Sequence, residues 1–171
     1  MNAATATATA AELDGFLDLS VDLTAFTRTD LLGTGLAELY LDKVRDACGG
    51  QALTALIDAH RAARADAQGE GGNFDRALRF RIFSDERLGP VARNVIKLWF
   101  AGMWYGLPKE WTDRYGARPA AETSTVTAAS YQEGLLWRAI GANPPGAKAP
   151  GYGSWAQPPQ IDERYLKGAT K

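Results

Sequence analysis

Few residues of this chain could do chemistry by themselves: there is one histidine, His60, and one cysteine, Cys48. A single cysteine excludes a disulfide within the chain, and the two residues together are too few for a Cys/His zinc site. Any Ser-His-Asp or Cys-His relay would have to use His60 itself. That histidine lies in LTALIDAHRAARADAQ, a helical pattern with no nucleophile near it in sequence. We therefore favour a structural or solvent-facing histidine over a catalytic one, and for Cys48 a small buried apolar residue over a reactive thiol.

Carboxylates give two further possibilities for chemistry. Asp14, Asp18 and Asp22 are spaced four apart and would share one helix face. A solvated face is favoured over a metal site, because no histidine or further carboxylate joins them. A helical enzyme that uses carboxylates and tyrosines is the alternative function, and its candidate residues, whose mutual geometry the sequence does not fix, are Glu133, Asp113 and Tyr115.

The first half of the chain has apolar residues at intervals of three and four, which predicts helices. A short first helix should end near Ser20. A second should be capped by Thr29 or Asp30 and stop at the glycine pair 49–50, because glycine favours the helix C-terminus. A third helix is predicted over about residues 51–68.

The second half gives three further helix candidates. FDRALRFRIFSD is the first, although the alternation in LRFRIF would also suit a strand. PVARNVIKLWFAGMW is the strongest and begins at Pro90, a residue favoured in a first helical turn. After an irregular segment, WYGLPKEWTDRYGARP, a last helix should run over about residues 127–140. Its inward-facing residues are predicted to be Tyr131, Leu135, Leu136, Ala139 and Ile140.

Five or six helices without a convincing pair of strands indicate an all-α fold, a compact helical bundle. The predicted organisation is a disordered Ala/Thr-rich segment at residues 1–12, a helical domain at 13–141 and an extended Gly/Pro-rich tail at 142–171. A formal net charge of −1 argues against a nucleic-acid partner. The longest apolar run, VIKLWFAGMW, is too short for a membrane span. Residues 1–12 lack the charged start, twin arginine and compact apolar region of a secretory signal.

The tail is unusual in composition, with four glycines and five prolines among residues 141–159. Proline removes backbone donors and glycine relaxes φ, so no helix is expected there. A disordered linker is one interpretation. Because the segment also contains Tyr152 and Trp155, and large aromatic side chains are usually buried against something, docking on a partner or on the chain's own domain is favoured.

Three motifs resemble the small subunit of bacterial FAD-dependent sugar and polyol dehydrogenases, the sorbitol, fructose, gluconate and glucose dehydrogenase complexes of the cell envelope. They are LWFAGMWYG, YQEGLLWRAIGANPPGAKAPGYGSWAQPP and FLDLSVDLTAF, the last resembling the family's opening F-x-x-L-S-x-x-L-T-x-F. The resemblance covers roughly residues 13–159, and the long tail motif is its specific part.

The resemblance implies an accessory subunit rather than an enzyme. In that family the FAD and the catalytic residues belong to a large subunit of the glucose-methanol-choline oxidoreductase type, and a multihaem cytochrome c subunit commonly takes the electrons onward. The small subunit carries no cofactor and assists folding, maturation and export of the large subunit, typically through a twin-arginine signal. Periplasmic residence is implied by resemblance alone, because this sequence lacks that signal.

The leading hypothesis is therefore a noncatalytic, chaperone-like subunit with no catalytic, cofactor-binding or metal-binding residues of its own. The alternative from another class is a standalone helical adaptor whose tail packs on its own domain. Simple core filling is the competing interpretation for Trp137, and a surface charge or helix cap for Arg138. The residues predicted to contact the partner are Tyr131, Trp137, Arg138, Pro144, Pro145, Lys148, Tyr152 and Trp155.

Overall fold

The computed structural model describes residues 10–69 and 71–147, and most of these residues are in helices. The all-α prediction is confirmed, although the helices are shorter and more numerous than the five or six expected. Of the predicted tail, only residues 142–147 lie within the described ranges. The helices are α1 Ala10–Thr24, α2 Arg28–Gly33, α3 Ala37–Cys48, α4 Gly50–Ala67, α5 Phe74–Leu78, α6 Leu88–Ala101, α7 Lys109–Tyr115, α8 Ala128–Gln132 and α9 Leu135–Ala139.

Two short irregular elements and one small ladder complete the fold. A π-helical turn, Arg79–Phe83, directly continues α5, and a 3₁₀ turn covers Pro119–Ala121. Strands β1, Met103–Trp104, and β2, Ser124–Thr125, pair antiparallel. The segment FDRALRFRIF is thus helical, and its alternation does not produce a strand. No helix of the described ranges has the length and apolar character to cross a bilayer.

Helix α1 continues past its predicted end at Ser20. The Ser20 hydroxyl donates a hydrogen bond to the Phe16 carbonyl at 2.7 Å, so this residue fits inside the helix. The same oxygen accepts a hydrogen bond from the Trp99 indole at 2.9 Å, which ties α1 to α6. Helix α1 ends only at Thr24, where Ala25 has a φ of 60°.

The predicted second helix is two helices. Thr27, rather than Thr29 or Asp30, caps α2: its side chain accepts from the Asp30 amide, and the Asp30 carboxylate accepts from the Thr27 amide. The chain then breaks at Gly35, which has a φ of 69°, before α3 begins. This reciprocal capping favours an earlier start, and the left-handed glycine prevents one continuous helix.

The third and the strongest predicted helices are confirmed. Helix α4 buries Leu53, Leu56 and Ile57 as expected. Helix α6 begins two residues before Pro90, because the Asp85 carboxylate accepts hydrogen bonds from the amides of Arg87 and Leu88. Pro90 remains in the first turn, where its missing N–H leaves no intrahelical hydrogen bond unmade.

The core lies around α6. Trp99 is buried, stacks on Phe16 with ring centroids 6.3 Å apart, and meets Tyr40 edge to face at 4.8 Å. Trp104 and Trp111 of the irregular segment are also buried, so this segment covers the helical core. Cys48 is buried, as predicted.

Candidate partner-binding surface

The last two helices present the predicted contact residues as one unit. The Thr127 hydroxyl caps α8 by accepting from the Ser130 amide at 3.1 Å. Gly134 then separates α8 from α9 in an extended conformation. A Cβ at this position would lie 2.7 Å from the Phe100 carbonyl oxygen of α6. Glycine therefore allows the backbone of this unit to lie directly on α6, and it ends the helix that the sequence pattern extends.

A second glycine fixes the same unit from the α6 side. Gly102, with a φ of 68°, ends α6 in the left-handed conformation. A Cβ there would lie 2.4 Å from the Ser130 carbonyl oxygen and 2.8 Å from the Tyr131 amide nitrogen. The two backbones thus approach each other closely here, which leaves no room for a side chain between them.

The prediction that the last helix faces inward is wrong for most of its apolar residues. Leu135 is fully buried, but Ala139 is exposed, and so are three large side chains. A continuous helix would carry them on one stripe, whereas the break at Gly134 changes the direction of the second half. The exposed fractions are 37% for Tyr131, 39% for Leu136 and 61% for Ile140. We call these three side chains, with half-buried Trp137, the C-terminal face.

Trp137 holds the C-terminal face together. Its indole N–H donates to the Tyr131 carbonyl at 2.7 Å, and the two rings meet edge to face at 5.3 Å. Its own carbonyl accepts from the Ala142 amide at 2.8 Å, so the chain turns back after α9. Trp137 is half-buried, so it is neither a fully buried core residue nor a fully exposed contact residue.

Arg138 forms an ion pair within the chain. Its guanidinium donates to the Asp30 carboxylate at 2.6 Å and lies 5.7 Å from the centroid of the Phe26 ring. Hydrogen bonds from Thr27, and then from Arg138, hold the pKa of the Asp30 carboxyl below its usual value. Arg138 therefore links α9 to the N-terminus of α2, with more than half of its side chain still exposed.

The two prolines that follow α9 lie against the unit formed by α8 and α9. Pro144 is buried and Pro145 is exposed. The Tyr131 hydroxyl donates weakly to the Pro145 carbonyl at 3.4 Å, and the Ala147 amide donates to the Pro144 carbonyl at 3.2 Å. Five of the eight predicted contact residues thus belong to this unit. The other three lie outside the described residues: Lys148, Tyr152 and Trp155.

The histidine that sequence analysis singled out is structural, and its partner was missed. His60 is buried, and its Nε2 lies 2.6 Å from the Asp22 carboxylate. The Arg64 guanidinium donates to the same Asp22 oxygen at 2.8 Å, beside a shallow cleft lined in part by Phe74. The sequence gives no signal for a contact between residues that are 38 positions apart.

Ion pairs hold three of the other candidate carboxylates, and Glu133, the C-cap of α8, is half-buried. Asp14 and Asp18 both pair with Arg28, so the three aspartates do not converge. Asp113 pairs with Lys109, and the Tyr115 ring packs on Trp111 at 5.2 Å. In the described ranges, no three His, Cys, Asp or Glu side chains are grouped closely enough to hold a metal ion.

Comparisons with known proteins return no family model, no curated relative and no solved structure that matches this chain.

Proposed function

We propose that this chain is the noncatalytic small subunit of a membrane-associated FAD-dependent sugar or polyol dehydrogenase complex. It would stabilise the flavoprotein large subunit and assist its maturation and export to the periplasm. The proposal starts from the sequence resemblance over residues 13–159. The observation that supports it in the structure is the C-terminal face, where Tyr131, Leu136 and Ile140 are exposed within the most specific motif of that resemblance.

The C-terminal face has the physical properties of a docking site. Burying a large apolar side chain contributes about 1.5–3 kcal/mol, so covering Leu136 and Ile140 would favour association. Trp and Arg are enriched among the residues that dominate binding energy. Trp137 and Arg138 are already held by hydrogen bonds to Tyr131 and Asp30, so fewer rotamers would be lost on binding.

The cofactors of such a complex belong to its other subunits. FAD and the catalytic residues would be carried by a large subunit of the glucose-methanol-choline oxidoreductase type, and haem c by a multihaem cytochrome subunit. This chain would contribute contacts only, and its tail would extend the C-terminal face through Lys148, Tyr152 and Trp155.

A standalone helical adaptor whose tail packs on its own domain is the second candidate. The observation in its favour is that the tail begins by lying on its own helices: Pro144 is buried, and the Tyr131 hydroxyl reaches the Pro145 carbonyl. In this case the C-terminal face would be partly covered by residues of the same chain.

The test is co-expression of a candidate flavoprotein large subunit with and without this chain. Size-exclusion mass and FAD-dependent dehydrogenase activity in the soluble fraction are measured. We expect co-elution, and activity that depends on the chain. A chain that elutes alone, beside a flavoprotein equally soluble and active without it, would overturn the proposal.

Two variants locate the contact and separate the candidates. Leu136→Ser with Ile140→Ser should reduce co-elution, whereas Leu39→Ser should not, since Leu39 on α3 has a similar exposed fraction of 37%. Tyr152→Ala with Trp155→Ala should weaken the complex and leave the circular dichroism of the isolated chain unchanged. Loss of helical signal in that variant would favour the adaptor, because the tail would then belong to the chain's own core.

A further inference from the structure

The π-helical turn at Arg79–Phe83 exposes a large aromatic side chain. The Ser84 amide donates to the Arg79 carbonyl at 2.9 Å, a bond that spans five residues. Turns of this kind are rare in proteins, and those that occur are often found at functional sites. Ile82 is buried against the core, while Phe80 has 76% of its surface exposed. No other large apolar residue of the described ranges is as exposed as Phe80.

Exposed basic side chains flank Phe80 in sequence, and another packs on the neighbouring Phe83. Arg76 lies on α5, four residues before Phe80, and Arg79 lies in the π turn directly before it. Both arginines are exposed. On α6, the Arg93 guanidinium lies 5.5 Å from the centroid of the Phe83 ring and donates to the Phe83 carbonyl at 3.1 Å.

A second basic side chain on α6 lies over a second exposed aromatic ring. Lys97 follows Arg93 by one helical turn, and its Nζ lies 4.8 Å from the centroid of the Tyr105 ring. Cations held over aromatic faces remain available to anionic groups on a partner. We call this the basic aromatic surface; it consists of Arg76, Arg79, Phe80, Arg93, Lys97 and Tyr105.

The positive charge of this surface is not neutralised within the described ranges. None of its four basic side chains forms an ion pair with a carboxylate of residues 10–69 or 71–147, whereas the neighbouring Arg81 is paired with Asp66. Four basic side chains without a carboxylate partner in the described ranges therefore belong to this one surface. A surface of this kind attracts carboxylates, and Phe80 adds an apolar anchor.

We propose that the basic aromatic surface is a second docking contact for the flavoprotein subunit, which receives Phe80 in an apolar pocket rimmed by carboxylates. The inference rests on the proposed function. A stable interface commonly uses 20–30 residues a side, roughly 800 Å² per partner. The four side chains of the C-terminal face are too few for this, so the interface must extend beyond them.

The basic aromatic surface lies where that extension can reach it. Gly102 is in contact with the α8 backbone at Ser130 and Tyr131. Tyr105 follows Gly102 by three residues, which places its Cα within about 11 Å of that contact. One partner seated on the C-terminal face can therefore continue over Tyr105 and Lys97 toward Phe80.

Other occupants fit the charges less well. A second copy of the chain would bring two positive surfaces together in a symmetric dimer. Residues 148–171 contain four basic and two acidic side chains, so this segment is repelled as well. One inserted Phe side chain gives only marginal binding to a bilayer.

The test uses full-length chain co-expressed and co-purified with the flavoprotein subunit, which is then immobilised. The rate at which the chain dissociates is measured at about 50 mM and about 300 mM sodium chloride. We expect Phe80→Ser to raise this rate roughly tenfold or more. Arg76→Glu with Arg79→Glu should raise it similarly at the lower salt concentration and reduce its salt dependence. Leu39→Ser and Arg61→Glu, exposed changes on α3 and α4, serve as matched controls.

The outcomes separate this inference from the proposed function. If the wild-type chain does not co-purify with the flavoprotein, both fail. If it does, and the Phe80 and arginine variants dissociate within twofold of the wild type while Leu136→Ser with Ile140→Ser dissociates faster, only the second docking contact is overturned. Sedimentation with phosphatidylglycerol vesicles provides one more arm. Vesicle binding that Phe80→Ser abolishes, with flavoprotein dissociation unchanged, would reassign the surface to lipid.

Discussion

Trp99 and Trp137 have different surroundings, although each indole N–H has a hydrogen-bond partner. Trp99 is buried in α6 and donates to Ser20 of α1, a residue 79 positions earlier. Trp137 is half-buried in α9 and donates to the Tyr131 carbonyl, six positions earlier. The first bond joins distant parts of the chain, whereas the second stays within the unit formed by α8 and α9, which we call the C-terminal unit.

Under the proposed function, this difference would divide stability from recognition. The region around Trp99 joins α1, α3 and α6 through the rings of Phe16 and Tyr40, so each contact there resists unfolding of the whole bundle. The C-terminal unit approaches α6 closely through its backbone at Gly102 and Gly134 and buries Leu135. Its other large side chains Tyr131, Leu136 and Ile140 remain exposed.

The largest effect expected from this comparison is on the free energy of unfolding. Trp99→Ala should lower it by about 3–5 kcal/mol, because the change removes a buried aromatic side chain and leaves a cavity. Trp137→Ala should lower it by about 1 kcal/mol, the contribution of one hydrogen bond and partial packing. Urea unfolding followed by circular dichroism measures both.

Trp99→Phe is the matched control, since it keeps a ring but removes the donor to Ser20. The decrease in the free energy of unfolding for Trp99→Phe should fall between those for Trp99→Ala and Trp137→Ala. Equal losses for Trp99→Ala and Trp137→Ala would show that the C-terminal unit belongs to the same cooperative core, and the division proposed above would be wrong.

An intermediate effect is expected from alkaline pH. Burial raises the pKa of the Cys48 thiol from its ordinary value of 9.0 to about 12. The unfolded chain therefore ionises first: this contribution to stability is complete below pH 9 and is lost as pH rises toward 12. At about pH 10.5 the loss should be about 2 kcal/mol, since one pKa unit corresponds to about 1.4 kcal/mol. Urea unfolding at several pH values measures it.

Cys48→Ala tests the origin of this loss. The variant should lose less stability than the wild type between about pH 8 and about pH 10.5, whatever its stability at neutral pH. Some loss should remain above pH 10, because burial also raises the pKa of Tyr40 to about 12. Parallel pH profiles for the two proteins would mean that Cys48 is accessible to water in the folded chain.

The division also explains which parts of the structure could be predicted from the sequence. Helices α4 and α6 were predicted because each buries a stripe of apolar residues at helical spacing, as with Leu53 and Leu56 in α4. The bonds that tie each of them to α1, from Trp99 to Ser20 and from His60 to Asp22, could not be predicted. Partners so far apart in sequence leave no local pattern.

The C-terminal unit was mispredicted for a tertiary reason. The apolar spacing of residues 127–140 suits one helix, but Gly134 lies on the Phe100 carbonyl and interrupts it. A close backbone approach to another helix gives no periodic signal. The exposure of Phe80 was missed for a similar reason, since a π turn changes the direction of side chains without changing the sequence pattern.

The smallest effect is expected from Leu136→Ser with Ile140→Ser, and its comparison with the neighbouring Leu135 is the sharpest test of the division. Leu135 is fully buried and Leu136 is 39% exposed, although they are adjacent in α9. Leu135→Ala should lower the free energy of unfolding by about 2–5 kcal/mol, whereas Leu136→Ser with Ile140→Ser should change it by no more than about 0.5 kcal/mol per site. Urea unfolding of the isolated chain measures both. A large loss in the second variant would mean that the exposed side chains are covered by the chain itself, and the C-terminal face would then be part of the fold rather than a surface for a partner.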